Sequence, residues 1–161
     1  MNPTRTARAT SRRTPSRRHA GRAVILGALL AGCGANPGDD APARNRAPEA
    51  VTGKVWQWER TVAPVETVES PAPDRYTLEL APNGRLLVRA DCNRGTGTYR
   101  IGAGTIAIGP IATTRMACPP GSLDASYLRD LQRAAAFFVE SGNLFIELPV
   151  DSGTMRFAPQ R

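Results

Sequence analysis

The residues that could carry chemistry in this 161-residue chain are few, and their placement excludes more than it proposes. The only histidine, His19, lies in the first 22 residues, together with seven arginines and no acid. Removing those seven from the 21 basic residues leaves 14 against 14 acids, so the formal charge of +7 belongs to the N-terminal segment and the remainder is neutral. A basic protein that seeks nucleic acid is therefore not indicated. Without a histidine after residue 19, neither Ser-His-Asp nor Cys-His catalysis nor a His-ligated metal is available there, and no cofactor is expected. Asp124 and Asp130 are out of phase on one helix, and Glu140 and Glu147 flank a hairpin and are expected to face water, so no carboxylate pair is assembled. Gly102, Gly104 and Gly109 are not followed by Lys-Ser/Thr and form no phosphate loop. Trp56 and Trp58 could stack on a sugar or lipid, with core packing the stronger expectation. The residues thus point to a protein that is not an enzyme.

Cysteine carries the remaining chemistry. Ala23–Ala31 is a short uncharged apolar run after the arginine-rich start. Nine residues at ~1.5 Å each span about 14 Å, too little for a ~30 Å bilayer core. Residues 1–32 read as a signal peptide, ending in Leu30-Ala31-Gly32-Cys33, which resembles the bacterial lipobox. The resemblance implies that Cys33 becomes the acylated N-terminus, holding the chain to membrane lipid, and that Gly34 directs it to the outer membrane if the cell has one. Residues 33–50 lack large apolar side chains and read as a flexible tether, leaving 51–161 as one domain. In an oxidising compartment Cys92 and Cys118, 26 residues apart, are expected to pair. A buried free pair or a redox site are the alternatives.

The elements that position these residues read mainly as strands. Lys54–Val62 places both tryptophans on one face; Tyr76, Leu78 and Leu80 alternate with polar residues; Arg85–Asp91 follows the turn Ala81-Pro82-Asn83-Gly84. Thr98–Ile101 and Thr105–Ile108 pair across Gly102-Ala103-Gly104, with an irregular stretch to Pro120. Ser122 is a candidate N-cap for a helix with an apolar stripe of Leu128, Leu131, Ala135 and Phe138. Phe138–Glu140, Leu144–Leu148 and Thr154–Phe157 complete the pattern. The fold class is mainly β (α+β): a small antiparallel barrel-like sheet of seven or eight strands with one packed helix.

Two runs surround the cysteines: Asp91-Cys92-Asn93-Arg94-Gly95-Thr96-Gly97-Thr98-Tyr99, and Ile108 to Pro119 with Thr113-Thr114-Arg115-Met116-Ala117-Cys118. With Trp56 near the start and Tyr127-Leu128-x-x-Leu131 on the helix, they resemble the META domain, or HslJ-like, family over about residues 54–158. Asp91 departs from the glycine of many members. The resemblance implies the barrel-like fold and a loose link to envelope stress, motility or secretion, with no catalytic chemistry. Asn93, Gly95 and Gly97 are expected to serve turn chemistry, Thr113, Thr114 and Arg115 to satisfy backbone groups, and Arg115 is a candidate ion-pair partner for Asp91. The partner is then an unknown envelope protein or, alternatively, a small hydrophobic ligand held in the barrel or the cleft beside the helix, with no nucleic acid and no metal.

Overall fold

The computed structural model describes residues 44–161; the expected signal peptide, Cys33 and the first part of the expected tether lie outside the described residues. The period-two pattern becomes ten antiparallel strands: β1 (Val55–Val62), β2 (Thr67–Glu69), β3 (Tyr76–Leu80), β4 (Arg85–Ala90), β5 (Asn93–Ile101), β6 (Ile106–Ile108), β7 (Ala112–Thr113), β8 (Ala136–Glu140), β9 (Asn143–Glu147) and β10 (Thr154–Pro159). They run in the order β6-β5-β4-β3-β1-β10-β9-β8, with β2 added beside β1 and β7 beside β5. Short β2 lies in the connection between β1 and β3 and β7 in the irregular stretch before Pro120, each too brief to show a period of its own. The sheet ends meet: Ile106 N–H donates to Ala135 O at 3.1 Å and Phe137 N–H to Gly104 O at 3.1 Å, so the barrel is nearly closed.

Residues 44–50, expected to be the end of a flexible tether, are docked instead. Asn45 and Val139 exchange backbone hydrogen bonds of 2.8 and 2.7 Å, and Gly104 N–H donates to Arg46 O at 3.0 Å. Arg44 pairs with Glu140 and lies over the Phe138 ring. These contacts are made by backbone groups and an arginine, which carry no apolar signal in the sequence.

The helix α1 (Asp124–Gln132) is shorter than its stripe suggested. Tyr127 and Leu131 are buried and Leu128 is half-buried, while Ala135 is exposed beyond the helix and Phe138 sits in β8. The 3.6-residue spacing ran by coincidence into the next strand. Ser122 lies one residue before the Leu123 cap position, and its Oγ accepts from Asp124 N–H at 3.3 Å. Tyr127 and Leu131 plug the barrel, where Trp58, Tyr76, Tyr127 and Phe157 form one aromatic cluster with ring centroids 5.2 to 6.4 Å apart. Trp56, Leu78, Leu80, Leu86, Leu144 and Ile146 fill the rest, each at most 1% exposed. No described helix is long and apolar enough to cross a membrane.

The Tyr127 hydroxyl is buried and has no hydrogen-bond partner among the described residues. Burial pushes its pKa well above the ordinary tyrosine value. A folded-state pKa raised above the unfolded one contributes stability that is complete below the unfolded value, about 10, and falls as pH rises beyond it. Tyr127→Phe should therefore raise stability by about 1 kcal/mol at neutral pH by removing an unsatisfied group. It should also flatten the loss of stability above pH about 10. Urea titrations of both proteins across that range check both expectations.

Candidate functional site

The motif begins at the β4–β5 turn. Asp91 takes a left-handed conformation, φ 58°, which glycine adopts freely and Asp tolerates better than most residues. The departure from glycine thus keeps the turn. The Asp91 carboxylate is buried and pairs with Arg75, not with Arg115, which is exposed. Arg75 lies beside the turn because its carbonyl accepts the Asp91 N–H at 2.7 Å.

Asn93 follows in β5, not in the turn. It is 4% exposed and points at the irregular segment that leads to α1. Its Oδ1 accepts from Met116 N–H at 2.8 Å and from the Thr114 hydroxyl at 3.0 Å. Its Nδ2 lies 3.1 Å from Asp124 Oδ2 and 3.3 Å from both Met116 O and Cys118 Sγ. Thr114 completes the clamp: its Oγ1 accepts the Arg94 N–H at 3.1 Å, and its N–H donates to Arg94 O at 2.9 Å. Cys92 and Cys118 form a disulfide across the same gap, with Cα atoms 5.5 Å apart. One amide side chain and one covalent bond therefore fix a segment with almost no ladder of its own. Asp124, set aside above as a failed catalytic dyad, is a member of this latch. No spacing in the sequence connects it to Asn93.

The glycines of the run also act differently from expectation. Gly95 and Gly97 lie inside β5 and have no positive φ. A Cβ on Gly95 would stand 2.8 Å from Thr113 Cγ2 and 2.9 Å from Ile111 and Val88 methyls; one on Gly97 would stand 2.9 Å from Pro110 O. Their absent side chains let the 110–114 segment lie against the strand. Tyr99 is buried and its hydroxyl donates to Ala81 O at 2.7 Å. Trp56 is buried, its Nε1 donating to Val51 O at 2.9 Å. The motif side chains left on the surface include Arg94, Thr96, Thr98, Thr114, Arg115 and Met116, the last 60% exposed.

These residues build an anchorage for a loop. Among the described residues no group of His, Cys, Asp and Glu is placed to hold a metal ion. An open recess of about 670 Å3 is lined by Val55, Glu79, Leu87, Arg89, Arg94 and Thr96, among others. A smaller cleft of about 140 Å3 lies beside α1, between Trp58, Asp130 and Ser152.

Fold and latch together define a class: small, nearly closed antiparallel barrels with one plugging helix, in which the distinctive sequence runs hold the barrel together. A family model for the META domain matches residues 49–161, and the chain belongs to that family. No curated protein sequence matches. Among solved structures, the chain is similar to a protein from Burkholderia xenovorans determined by NMR, with 24% identity and a TM-score of 0.61 over 77% of this chain and 96% of that one. It is also similar to a DUF4847 family protein from Bacteroides vulgatus, with 12% identity and a TM-score of 0.52 over 68% of this chain and 94% of that one. At these identities the likeness is one of fold.

Proposed function

We propose that the chain is a non-catalytic, membrane-tethered interaction module of the bacterial cell envelope, acting through its outer surface. The observation that carries this reading is the filled interior: Trp56, Trp58, Tyr76, Tyr127, Phe137 and Phe157 occupy the space in which a barrel of this size would hold a ligand. An envelope role in stress or secretion follows the family resemblance, and the tether follows Leu30-Ala31-Gly32-Cys33.

The alternative, a carrier of a small hydrophobic ligand, would use open surface recesses of about 400 to 670 Å3, since the more enclosed cleft beside α1, about 140 Å3, is too small for a drug-sized molecule. Extraction of protein purified from native membranes separates the two readings. Stoichiometric bound lipid, beyond that on Cys33, would favour the carrier; a bare chain favours the surface module. For the anchor, Cys33→Ser should abolish uptake of labelled fatty acid entirely, since Cys92 and Cys118 are joined to each other and cannot substitute. Label retained on the variant would remove the tether from the proposal.

A further inference from the structure

We propose that the outward face of β4 and β5 is a docking surface for the anionic headgroups of the membrane that tethers the chain; the inference rests on the tether reading above. Burial alternates along β4, so Arg85, Leu87 and Arg89 point outward, and along β5 Arg94, Thr96, Thr98 and Arg100 do the same. The register sets Arg89 directly opposite Arg94 and Arg85 opposite Thr98. Four arginines therefore share one face of two adjacent strands. The acid that β3 adds to this face is Glu79, opposite Leu87.

Among the other cations of the described residues, Arg46, Lys54, Arg115, Arg133 and Arg161 are scattered and also lie beyond 4.0 Å of any carboxylate, and the remaining five are paired. Arg44, Arg60, Arg75, Arg129 and Arg156 each lie within 4.0 Å of a carboxylate. None of the four arginines on the β4–β5 face has such a partner among the described residues. Like charges directly opposite on a sheet are destabilising, so Arg89 facing Arg94 is a penalty that no carboxylate within 4.0 Å offsets. Arg89 cannot swing away from it: its guanidinium donates to Asp91 O at 3.2 Å and to Asp74 O at 3.3 Å. The result is a fixed cation beside a free one, above a recess floored by Val55 and Leu87.

Two features favour a membrane over a carboxylate-bearing protein. The first is spread: Arg94 and Arg100 are six residues apart on one strand, about 20 Å at ~3.3 Å per residue, which suits a continuous charged surface. The second is where the described chain begins. Arg46 O accepts from Gly104 N–H in the turn that ends β5, close to Arg100, and the Arg46 side chain reaches the position a Gly104 Cβ would occupy. The described chain thus begins beside the turn that follows Arg100 and Ile101 at the end of β5. The chain from Cys33 to Arg44 reaches at most about 36 Å at ~3.3 Å per residue. That confinement gives a local concentration on the order of millimolar, so a weak intrinsic affinity suffices.

The test uses the unlipidated chain from residue 34 onward, exported with a foreign cleavable leader; the whole core lies within Val51–Phe157. Co-sedimentation is measured with vesicles of phosphatidylcholine alone and of phosphatidylcholine containing phosphatidylglycerol. Binding is expected only with the anionic lipid, and should disappear at high salt. At about fivefold per arginine removed, Arg94→Glu with Arg100→Glu should lower partitioning by about 25-fold or more. The control, Arg60→Glu with Arg133→Glu, makes the same change in net charge elsewhere and should lower it by less than about threefold. Thermal melts verify folding, and Arg94→Gln with Arg100→Gln replaces the first pair if it unfolds. Equal binding to neutral vesicles, an equal loss in the control, or binding to polyglutamate without binding to vesicles would each overturn the inference. Mass measurement of the native protein separates the two levels. An acylated Cys33 with no vesicle binding overturns the inference alone, and an unacylated Cys33 overturns the tether and the inference with it.

Discussion

Trp58→Ala is expected to destabilise the domain by about 3–5 kcal/mol, the range for removing a large buried aromatic. Trp58 is 1% exposed and packs against Tyr76 at 5.5 Å and Tyr127 at 5.2 Å between ring centroids. Its loss opens a cavity at the junction of β1, β3 and α1, where three rigid elements meet and cannot collapse inward together. The indole Nε1 also donates to Thr61 Oγ1 at 3.1 Å, and Thr61 is itself buried, so the variant strands a hydroxyl as well. Against a total of ~5–15 kcal/mol for a domain, the variant should be marginal at growth temperature. Urea unfolding followed by circular dichroism measures the loss. A shift below about 1 kcal/mol would mean that the site relaxes freely and that the filled interior is a poor argument against a bound ligand.

The strands were legible because one face of each is buried. Tyr76, Leu78 and Leu80 in β3, and Leu86, Val88 and Ala90 in β4, show period two without interruption. The turns after β3 and β8 place positive φ at Gly84 and Gly142, where glycine adopts it without steric cost, although Ser141 is also left-handed. What escaped the sequence is interaction at a distance. Asn93 and the two glycines read as turn residues because Asn and Gly are commonest there; their actual roles depend on a segment some 20 residues away that closes over them. Arg75, not Arg115, meets Asp91 because the β3–β4 register brings it there, and no local spacing encodes that. Residues 44–50 dock through main-chain hydrogen bonds, to which a composition rule is blind. The cationic face was hidden by arithmetic: a neutral remainder says nothing about how its charges are distributed, and only the register of β4 on β5 gathers four arginines on one side.

Division of labour within the motif follows from burial. Asn93, Gly95, Gly97 and Tyr99 face inward or lie under the 110–118 segment, while Arg94, Thr96 and Thr98 between them face outward. One strand therefore carries the latch on one side and a surface for contact on the other. Any disturbance of the latch that shifts β5 also changes the spacing of the arginines.

Replacing Cys92 and Cys118 together with Ala should lower stability by about 2–4 kcal/mol, since closing a loop of this length is worth ~3.5 kcal/mol on the chain-entropy account. Thiol titration of denatured, non-reduced protein comes first: no free thiol among these two residues is expected, and two would reject the bridge and return the redox reading. The disulfide and Asn93 hold the same segment, so their effects should not add. Asn93→Ala in the oxidised protein removes the acceptor for Met116 N–H and Thr114, but the covalent link keeps the segment near, and about 1–2 kcal/mol should be lost. In the Cys-free protein the same substitution releases residues 114–118 altogether, and the combined loss should exceed the sum by about 1 kcal/mol. A strictly additive cycle would mean that each fastening holds a separate part of the chain. Cooperative loss would mean that β5, the loop and the start of α1 move as one unit, so that breaking one covalent bond under the barrel alters the face it presents.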